Sequence, residues 1–71
     1  MKKTMIVENL KLVETFRCKT EVEYDVFCKV SNEKLAYVVE NLLGKFFEVY
    51  FESSDDSFVC DSLETALATI D

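Results

Sequence analysis

Histidine, tryptophan and proline are absent from this 71-residue chain, and glycine occurs once, at Gly44. Without histidine the usual neutral-pH general base and the commonest metal ligand are both missing. A single glycine cannot build a phosphate-cradling loop. With so little glycine and no proline, the turns fall to Asn, Asp, Ser and Lys. Cysteine is present three times, as Cys18, Cys28 and Cys60, an odd number without metal-type pairing. That argues against a disulfide framework or a zinc site, and for a reducing compartment. The apolar run after Lys3 ends at Glu8, too short for a secretory core, and no stretch approaches a membrane span. The expectation is a cytoplasmic protein with no cofactor, no metal and no membrane partner.

Positive charge is scarce where negative charge is dense. The net charge is −6, and residues 1–35 hold seven basic and six acidic groups, whereas residues 36–71 hold one basic group, Lys45, and eight acidic ones. The second half therefore presents a field that repels nucleic acid and attracts basic surfaces. Hydrophobic residues make up 49% and charged residues 31%, which suits one small domain with a core and not a disordered tail.

The stretch Ser31–Gly44 carries Leu35, Val38, Val39, Leu42 and Leu43 at i, i+3, i+4, i+7 and i+8, the spacing of an amphipathic helix. Ser31 or Asn32 would cap it and Gly44 would close it in a left-handed conformation. Before it, alternation predicts two strands joined around Lys19–Glu21. A register with Cys18 opposite Val22 sets Phe16 against Tyr24 and Leu12 against Cys28 inside, and Arg17 against Glu23 and Val13 against Phe27 outside. Glu14 lies on the inner parity, where a bulge or the sheet edge would release it. Residues 1–9 read as an extra edge strand or a flexible arm.

Beyond the predicted helix, Phe46–Glu52 reads as a third strand and Ser57–Cys60 as a fourth, with a polar turn between them. A final helix starts at Asp61 or Ser62, Glu64 stands in capping-box spacing to Asp61, and Leu63, Ala66, Leu67 and Ile70 form its apolar stripe. The expected order is ββαββα over a single domain, 1–71. The expected fold is an α+β two-layer sandwich, a four-stranded and mainly antiparallel sheet with two helices on one face.

Catalysis finds few parts here. Asp55 with Asp56 and Asp61 with Glu64 are carboxylate pairs, but a turn and a helix start explain them through solvation and capping. The segment Ser53–Asp61 lacks both the alternate oxygen spacing and the glycine of a calcium loop. Cys18 stands between Arg17 and Lys19, yet in a strand those neighbours point away from it, so a small buried hydrophobe is the expectation.

Two interaction surfaces remain. Glu48, Glu52, Asp55, Asp56, Asp61 and Glu64 come from consecutive elements, and together they would form an acidic patch for a basic protein partner. Val13, Phe27, Phe46, Tyr50 and Val59 share the outer parity of the sheet and would form an apolar patch for a partner or a second copy. In size and charge the chain resembles small orphan proteins of phages and mobile elements, including inhibitors of host nucleases. That resemblance implies inhibition of a nucleic-acid-binding protein by charge mimicry and carries no residue role with it. The alternative is a homodimerising structural or regulatory subunit.

Overall fold

The computed structural model describes residues 3–70. Six strands and one helix follow in order: β1 (Thr4–Val7), β2 (Leu10–Arg17), β3 (Glu21–Cys28), β4 (Lys34–Asn41), β5 (Phe46–Phe51), β6 (Ser57–Cys60) and α1 (Leu63–Ile70). The strands make one antiparallel sheet whose spatial order is the chain order, β1-β2-β3-β4-β5-β6. The expected four-stranded sheet with two helices is therefore wrong: this is a mostly β protein with one short C-terminal helix.

The error lies in Ser31–Gly44, which is strand β4 flanked by two turns and not a helix. The same residues carry a second periodicity. Ala36 and Val38 are fully buried on one parity while Tyr37 is exposed on the other. Tyr37, Val38 and Val39 are β-branched or aromatic, side chains that lose rotamer freedom in a helix and fit a pleated surface. Two neighbouring strands, β3 and β5, each need a partner for their backbone groups, and β4 supplies it on both sides.

The turns also differ from expectation. Ser31 and Asn32 cap no helix; they sit in the β3–β4 turn, where Asn32 takes φ 61° and donates its N–H to Cys28 O at 2.7 Å. Gly44 does not take the left-handed conformation, which belongs instead to Lys45 at φ 57°. What Gly44 supplies is room: a Cβ there would approach the Phe46 ring to 2.5 Å, and its N–H donates to Asn41 Oδ1 at 2.7 Å.

The β2–β3 register is offset from the expected one. Leu12 faces Val26, Leu10 faces Cys28, Lys11 faces Phe27 and Val13 faces Asp25. A bulge at Thr15 then shifts the ladder, so that Glu14 faces Tyr24 but Phe16 faces Glu23 and Arg17 faces Val22. Phe16 is thereby turned out to the open side, 46% exposed, instead of lying inside against Tyr24. Glu14 remains on the inner parity beyond the apolar centre, where Arg17 Nη2 donates to it at 2.7 Å. That guanidinium holds the Glu14 carboxyl below the usual 4.5.

The core lies between the sheet and α1. Leu12, Val22, Val26, Ala36, Val38 and Val49 are almost fully buried, with Ala66 and Leu67 of α1 packed into the same cluster. Each such Leu or Val contributes about 1.5–3 kcal/mol relative to exposure. Ser62 caps α1 by accepting the Thr65 N–H at 3.2 Å, and the helix keeps its predicted apolar stripe, with Leu63 and Ile70 packed against the core.

Candidate functional site

Because side chains alternate along each strand, burying one parity under α1 leaves the other parity as a helix-free face. Two rows of directly opposed residues cross it from β2 to β6. The first runs Val13, Asp25, Tyr37, Tyr50 and Ser57, and the second runs Phe16, Glu23, Val39, Glu48 and Val59. Tyr37 and Tyr50 stack with ring centroids 4.7 Å apart and planes at 12°, an aromatic platform in the middle of the sheet.

Charge is graded along this face. At one end Lys11 lies over the Phe27 ring at 5.4 Å and donates to Asn32 Oδ1 at 2.7 Å. Lys34 lies over the Tyr37 ring at 5.8 Å and bridges Asp25 at 3.3 Å and Glu52 at 3.0 Å. The Glu52 hydrogen bond, followed by that from Asp25, raises the Lys34 pKa above 10.5, so this ammonium stays charged and is held between the two carboxylates. At the other end, the second row alternates apolar and acidic side chains and contains no cation. Glu48 accepts the Tyr50 hydroxyl at 2.7 Å, which raises the phenol pKa by disfavouring its ionised form.

All five residues expected on the outer face are there by parity: Val13, Phe27, Phe46, Tyr50 and Val59. Val13 and Phe27 are not directly opposed, because the register is offset, and they sit diagonally. Val59 is 68% exposed, while Val13, Phe27, Phe46 and Tyr50 are half-buried against their neighbours. Sequence reasoning missed Phe16, Tyr37 and Val39, and it set Glu23 and Asp25 on the outer parity without counting them in the site. The bulge hid the first, and the two-residue alternation of 35–41 was the signal for Tyr37 and Val39.

The six acidic residues are not brought together. Glu48 lies in the middle of the helix-free face, Glu52, Asp55 and Asp56 lie at the β5–β6 turn, and Asp61 and Glu64 lie at the start of α1. Strand β6 separates the last two groups by five residue steps, about 16 Å at strand rise. Asp61 does not form the expected capping box, since Ser62 and Thr65 occupy those positions.

The thiols stand apart. Cys18 is exposed in the β2–β3 turn, not a buried hydrophobe, and its Sγ lies 3.3 Å from Thr20 Oγ1. That hydrogen bond lowers the thiol pKa, and neither Arg17 nor Lys19 is the cause. Cys28 is lowered mainly by Ser31. Among the described residues no three His, Cys, Asp or Glu side chains are placed to hold a metal ion, and no helix is long and apolar enough to cross a membrane. Comparison with protein-family models, with curated proteins and with solved structures finds no match.

Proposed function

We propose that the chain is a non-catalytic protein-interaction module that binds a basic, partly apolar protein surface through the helix-free face of its sheet. The observation that supports this most is the row Phe16, Glu23, Val39, Glu48 and Val59, apolar and acidic by turns across five strands and without a cation. Apolar groups between carboxylates supply contact area, and the carboxylates select positive partners and speed encounter. A nucleic-acid-binding protein offers such a surface, because it must meet phosphates with Lys and Arg. Covering that surface makes the chain a competitive inhibitor of nucleic-acid binding.

The test is capture from lysate with salt-step elution, run in parallel on the wild type and on Glu23→Lys/Glu48→Lys. A basic nucleic-acid-binding protein retained by the wild type, released at moderate salt and lost from the double variant is the expected result. Retention that ignores both salt and the substitutions overturns the reading. A second copy is the alternative occupant of the same face. With −6 on each chain, stacking two such faces opposes like charges, so the free protein is expected to sediment as a monomer at micromolar concentration. A dimer that Phe27→Asp or Tyr50→Asp disperses would assign the face to self-association instead.

A further inference from the structure

A cavity of about 390 Å3 opens on the opposite side of the molecule, where the β1–β2 turn meets α1. Its floor is apolar: Leu10 and Leu67 are 3% and 6% exposed, and Leu63 and Ala68 extend the same wall along the helix. Its size falls in the range of small-molecule sites. The charged residues lining it are two carboxylates, Glu8 from the turn and Glu64 from the first turn of α1, and no Lys or Arg lines it.

Glu8 stands in the β1–β2 turn at φ 53°, a left-handed conformation that residues with a Cβ rarely adopt. Turn chemistry alone favours Gly or Asn there, and an Asn is the very next residue, Asn9, outside that conformation. That position carries one of the two acidic residues lining the cavity, Glu64 being the other. Neither carboxylate is in an ion pair among the described residues.

We infer that this cavity is a binding site for a small organic ammonium ion, an alkyl or aryl chain seated on Leu10, Leu63 and Leu67 with its cationic head between Glu8 and Glu64. The apolar floor takes the chain out of water, and the two carboxylates replace part of the hydration of the head group. Anionic amphiphiles of the same length meet the same floor and the wrong sign of charge. The site lies apart from the helix-free sheet face, so its test does not depend on the partner proposed for that face.

The probes are octylammonium, octyl sulfate and octanol, titrated against isotope-labelled protein with the methyl signals of Val7, Leu10, Leu63 and Leu67 observed. Octylammonium is expected to give saturable shifts at these methyls and to bind more tightly than octanol, with octyl sulfate weakest. Glu8→Asn/Glu64→Gln is expected to weaken octylammonium about five- to tenfold, the scale of two solvent-exposed ion pairs, and to leave octanol unchanged. Asn tolerates the left-handed position, so this variant keeps the turn. Ala68→Phe, at an exposed helix position, fills the cavity and is expected to abolish binding of all three. Absence of saturable shifts at millimolar octylammonium, equal binding of the sulfate, or binding unmoved by Ala68→Phe each overturns the inference.

Discussion

The two faces of the sheet are made by the same strands and governed by different chemistry. On the side covered by α1, Leu12, Val26, Ala36, Val38 and Val49 are fully buried, and no charged group shares their cluster. On the other side Val13, Phe27, Val39 and Tyr50 alternate with Lys11, Glu23, Asp25 and Glu48, and no layer of structure covers them among the described residues. The covered face sets stability, since its side chains have left water completely. The open face keeps apolar area that folding did not use, the feature on which the proposed interaction rests.

That contrast breaks most visibly at the centre of the covered face. Leu12→Ala is expected to cost about 2–5 kcal/mol in denaturant unfolding, through lost transfer energy and the cavity left behind. Val39→Ala on the open face is expected to cost less than half as much, and an equal loss from both would mean that the open face is a second core. At the Tyr37–Tyr50 platform, Tyr37→Ser is expected to remove about 0.5–1.5 kcal/mol of stacking and to weaken partner binding more than stability. An unaltered partner affinity would take the platform out of the interface.

Smaller effects sharpen the edges of the comparison. Lys45→Gly relieves a left-handed residue in the β4–β5 turn and is expected to stabilise the fold by less than about 1 kcal/mol, the strain relief being partly offset by a freer unfolded chain. Thermal or denaturant unfolding reads that gain directly. Smallest are the titrations at the sheet margins. The Glu14 carboxyl is depressed by Arg17, so its contribution is present above pH 4.5 and is lost as pH falls through its lower folded value. Lys34 is raised by Glu52 and Asp25, so its contribution is present below pH 10.5 and is lost as pH rises through its higher folded value. Arg17→Ala should flatten the acid side of the stability profile, while Glu52→Gln should flatten the alkaline side.

How much of this was legible in the sequence depended on whether a segment carried one periodicity or two. Ser57–Cys60 is a strand at the predicted residues, β5 ends one residue before the predicted Glu52, and α1 keeps its stripe of Leu63, Ala66, Leu67 and Ile70. In those segments the local pattern admits one reading. In Leu35–Leu43 the paired Val38 and Val39 satisfy a helical stripe and a strand alike, and only tertiary pairing with β3 and β5 decides between them. The outer parity of Val13, Phe27, Phe46, Tyr50 and Val59 was readable because parity survives an even offset of register. Phe16 was misplaced because the extra residue Thr15 reverses parity after Glu14; Glu14 on the inner parity marked a bulge or sheet edge there, but not which side chain the bulge would turn outward. The scattering of the acidic residues follows from the same limit: nearness along the chain says little once a strand has carried its ends apart.

The agreement of sheet order with chain order bears on how the molecule is made. Each strand's partner lies one short turn away along the chain, so little loop entropy opposes any one pairing. The element that covers the inner face, α1 (Leu63–Ile70), follows all six strands in the chain. Without it, Leu12, Val26, Val38 and Val49 would lack the helical layer, as the helix-free face does. Eight residues of helix give a sheet of six strands one covered face and one open face.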